Sequence, residues 1–164
     1  MKWLTRGLLA CGLAAAAAQG WAATATTTFI VSGTVVPGCS VTATAMSFGA
    51  AIPNPITANI DAASTVTATC STGTPWTVDL NVGTGAGATF AVRRMTSGGS
   101  TMNYSLYTNA GRTTVWGDGT GGTSEATGVG TGAGQAITVF GRIPPQALAS
   151  SGAYTDTITV TILF

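Results

Sequence analysis

Apolar and polar residues alternate in short runs along most of this chain, and turn-forming residues separate the runs. After position 22 the sequence lacks a convincing helical period, so the pattern favours strands. Proline at 53–55 and glycine at 83–87 are typical of the breaks between runs. The predicted strands cover residues 26–36, 39–48, 64–71, 76–82, 88–95, 102–108, 112–116, 135–142 and 154–164. Many short strands without helices between them indicate an all-β fold, a β-sandwich.

The last run, "YTDTITVTILF" over residues 154–164, alternates most strictly. Threonines share one face of this predicted strand, because successive side chains point to opposite sides of a sheet. The other face is apolar and consists of Ile158, Val160, Ile162 and Phe164. One face is therefore expected to be buried and the other solvated. A long apolar strand at an unpaired sheet edge is prone to aggregation, so this edge is expected to need a partner.

The first run, "TTTFIVSGTVV" over residues 26–36, has the same character. Phe29, Val31 and Val35 share a face with Thr27 and Gly33. The opposite face carries Ile30 and Val36. A slip of one residue in the pairing would exchange these two faces, so alternation alone leaves the register open.

Residues 1–22 are predicted to be a cleaved signal peptide. Lys2 and Arg6 precede an apolar stretch over 7–18, and small residues before position 23 fit cleavage after Ala22. A lipoprotein signal ending at Cys11 is the alternative, but most of the apolar stretch follows that cysteine. The chain is therefore expected to be exported.

Charge is sparse in the remainder of the chain. With Lys2 and Arg6 removed, four arginines face five acidic residues, a net charge of −1. So few cations cannot neutralise many phosphates, which argues against a nucleic-acid partner. A net charge close to zero favours association, as in a protein that packs against copies of itself.

Two cysteines remain after cleavage, Cys39 and Cys70. An exported chain passes through an oxidising compartment, so one disulfide is expected, and it would contribute roughly 3–4 kcal/mol. The alternative is a metal site, but two thiols without any histidine fall short of the usual four soft ligands. No cofactor, metal or small-molecule substrate is therefore expected.

Several other motifs are weak. The run "GDGTGG" over 117–122 matches a dinucleotide fingerprint only formally, because no helical pattern follows it, and its one carboxylate is a poor calcium site. Without a histidine base and with the cysteines oxidised, an enzyme is not expected. Arg93 and Arg94 are interpreted as a solvated strand edge. The aromatic residues are expected to pack the sandwich rather than to stack on sugars: Trp76, Trp116, Tyr104 and Tyr107.

Five segments together resemble the spore coat protein U domain, a family that includes subunits of archaic (Csu-type) chaperone–usher pili. They are "CSVTATAMSFG" (39–49), "TATCSTGTPWTVDLN" (67–81), "MNYSLYTNAGRTTVWGDGTGGT" (102–123), "TVFGRIPPQ" (138–146) and "GAYTDTITVTILF" (152–164). The resemblance implies an immunoglobulin-like sandwich that lacks its final strand. A periplasmic chaperone fills the gap during export. At an outer-membrane usher, the N-terminal strand of another subunit replaces the chaperone strand.

The resemblance assigns residues 23–34 as the donated strand and 35–164 as the sandwich domain. The inward residues of the donor would be Thr27, Phe29 and Val31, with Gly33 as the small position. The groove that receives a strand would be bordered by the last strand, with Ile158, Val160, Ile162 and Phe164 contributing core side chains. The Cys39–Cys70 pair would tie the first domain strand to the second.

The function implied is that of a structural subunit of a cell-surface pilus that supports adhesion or biofilm formation. Its partners would be neighbouring copies or paralogous subunits, a periplasmic chaperone and an outer-membrane usher. Two alternatives remain open. One is a non-fibrous, spore-coat-like surface protein, and the other is a secreted carbohydrate-binding or adhesin sandwich.

Overall fold

A computed structural model describes residues 22–147 and 150–164, and these residues form an all-β fold of two sheets. The strands are β1 (Cys39–Ala43), β2 (Ile60–Cys70), β3 (Pro75–Leu80), β4 (Arg93–Ser97), β5 (Ser100–Tyr107), β6 (Ala126–Val129), β7 (Gly134–Ile143) and β8 (Val160–Leu163). The larger sheet has the order β1-β2-β7-β5-β4 and the smaller one β6-β3-β8. The prediction of an all-β sandwich is confirmed.

The long antiparallel pair of β2 and β7 forms the centre of the larger sheet, with Ile60 opposite Ile143 and Thr69 opposite Gly134. Alternate residues of β2 and β3 point inward, as period-two patterning requires. The core lies between the sheets, and its most deeply buried large side chains include Val66, Val78, Leu80, Trp116 and Ile143.

The chain divides into two units, residues 1–34 and 35–164. The signal-peptide prediction falls almost wholly on residues 1–21, outside the described part of the chain. Residues 22–34 form no strand. Phe29, Ile30 and Val31 are 85%, 93% and 83% exposed. The strand predicted over 26–36 is therefore wrong for this single chain, because a strand needs a neighbour to form its hydrogen-bonded ladder.

Two other predicted strands are shorter in the structure. The strand predicted over 39–48 ends as β1 at Ala43, although Met46 and Phe48 continue to pack against the core. The strand predicted over 154–164 is regular only in β8. Both shortened segments border the same opening of the sandwich, where backbone partners are missing from the described chain.

The middle of the sequence was predicted less well. Residues 88–92 belong to a loop, and β4 begins only at Arg93. Residues 112–116 form no strand, and only Val115 and Trp116 pair, each in an isolated bridge. Strand β6 was not predicted, since its four residues include a glycine and alternate only weakly. These errors fall where runs are short and glycine-rich, because such runs carry little pattern.

None of the described residues belongs to a helix long and apolar enough to cross a membrane. Within the same residues, cysteine and carboxylate side chains form no group of three that could hold a metal ion.

Candidate functional site

An apolar groove opens between the two sheets of unit 35–164. Its volume is about 480 Å³. Val66, Leu106 and Val139 of the larger sheet lie on its floor, and Leu80 contributes from the smaller sheet. One rim is formed by residues 43–48 and the other by Tyr154, Thr155, Asp156, Ile158 and Val160.

A second cavity of about 490 Å³ continues the groove. The two cavities share Met46, Phe48, Met95 and Tyr154. The second also contacts Ile52, so apolar side chains line both. Gly141 of β7 makes room for the rim, because a Cβ there would collide with Met46 and Phe48.

Both rims lie at sheet edges. β1 is an outer strand of the larger sheet, and β8 is an outer strand of the smaller one. β8 pairs with β3 on one side, Val160 opposite Leu80 and Leu163 opposite Thr77. Within the described chain no strand pairs with its other edge, although β1 comes close to β8. The groove therefore combines an apolar floor with unpaired backbone at its margins, which are the two requirements for accepting an additional β-strand.

The predicted groove residues fall into two groups. Ile158, Val160 and Ile162 are half-buried and pack against the core, and the first two line the groove. Phe164 is 61% exposed. It borders a shallow surface hollow with Trp76 and Leu163 at the far end of the smaller sheet.

The predicted donor residues Thr27, Phe29, Val31 and Gly33 are all exposed. A Cβ at Gly33 would meet nothing within 4 Å. The structure thus gives these residues no packing role within their own unit.

A disulfide joins Cys39 and Cys70, as predicted. The two cysteines are direct partners in the register of β1 and β2. The bond therefore attaches the start of one groove rim to the central strands of the larger sheet.

The opposite rim is held by Asp156, a residue that the sequence analysis did not single out. Its Oδ1 accepts hydrogen bonds from the Thr84 amide at 2.7 Å, the Thr84 hydroxyl at 2.8 Å and the Thr157 amide at 2.7 Å. Its Oδ2 accepts one from the Tyr104 hydroxyl at 2.7 Å. Burial alone would raise the pKa of Asp156, but these hydrogen bonds outweigh it and lower that pKa below its usual value.

Tyr104 lies in the core with its hydroxyl directed at this carboxylate. Burial raises the pKa of Tyr104, and the hydrogen bond to Asp156 raises it further. The phenol therefore stays protonated and acts as a donor. Asp156 lies between Thr155 and Thr157, so alternation places its side chain on the same face as Ile158. The sequence pattern therefore did indicate that this carboxylate turns toward the apolar face.

Arg93 corrects the interpretation of residues 93–94 as a solvated edge, because it is fully buried. Its guanidinium donates to four backbone carbonyls, those of Asn81 at 2.9 Å, Phe90 at 3.1 Å, Trp116 at 2.7 Å and, at 3.5 Å, Leu80. Burial lowers the pKa of Arg93 to about 10. A planar group with five donors can satisfy several carbonyls at once, which explains how a cation is accommodated in the core.

Three of the four aromatic residues confirm the packing interpretation, whereas Tyr107 is only half-buried and does not belong to the core cluster. Trp76, Trp116 and Tyr104 are all buried, and the Trp116 indole donates to the Val78 carbonyl at 2.9 Å. An exposed sugar-stacking platform built on these rings is therefore absent from the described chain.

Comparison with known proteins gives a family match over most of the chain. The family model described as Spore Coat Protein U domain matches residues 25–161. A search of curated proteins found no match.

Among solved structures, the chain is similar to one chain of the crystal structure of the CsuC–CsuE chaperone–tip adhesion subunit pre-assembly complex from archaic chaperone–usher Csu pili of Acinetobacter baumannii. The TM-score is 0.56 at 24% sequence identity. The match covers 80% of this chain and 40% of the other. The chain thus spans less than half the length of this structural relative, and the likeness concerns the fold.

Proposed function

Because the chain belongs to the Spore Coat Protein U domain family, we propose that it is a structural subunit of a surface pilus. Its groove would accept a β-strand from another chain, and its residues 23–34 would be the strand that it donates in turn. The observation that carries this proposal is the apolar groove with an unpaired strand edge at each rim.

The groove suits a strand better than a small molecule. A strand placed beside β8 would continue the backbone ladder of the smaller sheet, and its alternate side chains would enter the cavity. The half-buried residues Ile158 and Val160 already present an apolar surface to that position. Burying each large apolar side chain of the incoming strand would contribute about 1.5–3 kcal/mol.

The N-terminal segment suits the role of donor. Three consecutive large apolar side chains, Phe29 to Val31, are more than four-fifths exposed. A contiguous apolar segment of this kind is typical of a surface that another molecule covers. Phe29 and Val31 are the proposed inward residues, with Thr27 and Gly33 on the same face.

The proposed route of assembly involves a periplasmic chaperone, an outer-membrane usher and neighbouring copies or paralogous subunits. The protein would be exported after cleavage behind Ala22 and placed at the cell surface, where the fibre would support adhesion or biofilm formation. The carbohydrate-binding alternative loses its main support, because Trp76 and Trp116 are buried.

Deleting residues 23–34 tests the donor assignment. The truncated protein, co-expressed with the periplasmic chaperone of its host, should still co-purify with that chaperone because its groove is unchanged. It should form no fibres when released, whereas the full-length protein should. Fibres of normal length from the truncated protein, seen by electron microscopy, would contradict the proposal.

A further inference from the structure

Four side chains form a continuous series of contacts from one rim of the groove to the other. Thr84 donates twice to Asp156, and Asp156 accepts from Tyr104. The Tyr104 ring then contacts the Phe48 ring edge-on, with centroids 6.1 Å apart and an interplanar angle of 66°. Asp156 belongs to the rim that leads into β8, and Phe48 belongs to the opposite rim. We call these four residues the cross-groove link.

We propose that the cross-groove link sets the width of the groove, so that Asp156 and Tyr104 are positioning residues that limit the size of the side chains an inserted strand can carry. This inference rests on the proposed function, because it concerns the strand that the groove would accept.

The first support is the way the Asp156 rim is held. Between Tyr154 and β8 the rim has little backbone pairing, namely the bridge from Thr155 to Thr96 and the amide of Asn81 bonded to the Thr159 carbonyl. Side chains supply the remaining contacts. The Asn81 Oδ1 accepts the Thr159 amide at 2.9 Å, and the Asp156 carboxylate accepts the four bonds described above. The location of this rim therefore depends on Asp156 more than on a β-ladder.

The second support is the rigidity of Tyr104. Its ring is 4% exposed and belongs to β5, inside the larger sheet. Its hydroxyl is held by Asp156, and its ring edge contacts Phe48. Arg93, which pairs with Tyr104 in the register of β4 and β5, lies close enough for its charge to interact with both Tyr104 and Asp156. Hydrogen bonds to a charged group are about twice as strong as neutral ones, so this contact is well suited to fixing a distance.

The third support is the shape of the chain around Asp156. Gly83 has a φ of 88°, and a Cβ at this position would collide with the Asp156 carboxylate. The backbone of the 83–84 turn therefore closes directly over the carboxylate. This turn leaves Asp156 little freedom to shift away from Thr84.

Peptide discrimination provides the test. Labelled peptides of residues 23–36 would be titrated against the full chain, one with the natural Phe29 and one carrying Phe29→Trp. Because overpacking a rigid site is unfavourable, the wild-type protein should bind the Trp peptide at least about tenfold more weakly. In Tyr104→Phe, which removes only the hydroxyl, the ratio of the two dissociation constants, Trp peptide over natural peptide, should fall to about twofold. Asp156→Asn provides a second variant that should lower the ratio in the same way.

Asp61→Asn is the matched control. Asp61 accepts two hydrogen bonds from Arg142 and contacts Arg112, but it does not line the groove. A general loss of stability would weaken the binding of both peptides equally and leave the ratio of their dissociation constants unchanged. The chain's own residues 23–36 compete with both peptides equally in every variant. The ratio should therefore stay at its wild-type value in this control.

The outcomes separate the two proposals. Failure of the wild-type protein to bind the natural peptide would overturn the proposed function and the inference with it. Binding with an unchanged ratio in both link variants would overturn the inference alone. So would a ratio that falls equally in Asp61→Asn, or a wild-type protein that does not discriminate between the peptides.

Discussion

Residues 26–36 and 154–164 share one pattern, an alternation of apolar residues with threonine, but their environments differ. In the first segment the apolar side chains of both faces are exposed. In the second, Ile158, Val160 and Ile162 are half-buried against the core. The second segment pairs with β3 through β8, whereas the first has no strand structure.

The difference shows what alternation encodes. It specifies which side chains share a face, because the period of a strand is fixed by its backbone. It does not specify whether the buried face packs within the same chain. The last segment pairs on one side within its own domain. Under the proposed function, the first segment would pair only with another molecule. The most direct tests therefore place the same substitution on each face of each segment.

Phe29→Asp is expected to have the largest effect. A carboxylate on the inward face of the donor would be buried without a partner, so fibre growth should fall by about 100-fold or more. Ile30→Asp is the matched control, since Ile30 is equally exposed and lies on the other face. Fibre length and yield measure the effect. The reverse order, normal fibres from Phe29→Asp and none from Ile30→Asp, would show that the donor register is shifted by one residue.

Val160→Asp should act on the domain itself. Val160 packs against the core, so the charge should lower the free energy of unfolding of the full chain by about 2–4 kcal/mol in urea. Leu163→Asp on the opposite, exposed face should cost less than about 1 kcal/mol. Phe29→Asp should leave this free energy unchanged. Equal destabilisation by Phe29→Asp and Val160→Asp would remove the distinction between the two segments.

The smallest expected effect is a pH dependence confined to the last segment. The pKa of Asp156 is lower in the folded chain than in the unfolded chain, so this carboxylate stabilises the fold above its unfolded pKa of about 3.9 and the contribution is lost as the pH falls through the folded value. Its titratable neighbours are the charged Arg93 and the neutral Tyr104, neither of which changes protonation in that range.

Thermal unfolding between pH 6 and pH 2 measures this contribution. The difference in Tm between the wild-type protein and Asp156→Asn should be constant near pH 6 and shrink below about pH 4. A difference that stays constant down to pH 2 would show that the charge of Asp156 is not what stabilises the rim.

The sequence predicted the sheet-forming character of the chain well and the positions of individual strands less well. Val66, Val78 and Val139 lie within the strands predicted over 64–71, 76–82 and 135–142, and the structure places them in the core. The Cys39–Cys70 bond followed from export and from the count of cysteines. β6 and the loop before β4 were misjudged, because short glycine-rich runs carry almost no periodic signal.

The groove was predictable in part. Its apolar rim residues Ile158 and Val160 follow from alternation, and the missing strand followed from family resemblance alone. The buried Arg93 and the half-buried Asp156 were not predicted. Alternation places Asp156 on the face of Ile158, but no pattern in the sequence names the hydrogen-bond partners of either residue. The fold supplies those partners, which include Asn81, Thr84, Tyr104 and Trp116.

Gly83 shows how a residue outside the groove can control it. The glycine does not line the cavity, and it lacks a side chain with which to touch anything. Yet one added methyl group would displace the Asp156 carboxylate, and through Tyr104 the displacement would reach Phe48 on the far rim. A survey of this protein by single substitutions would therefore find a position of strong influence where a map of contacting side chains shows none.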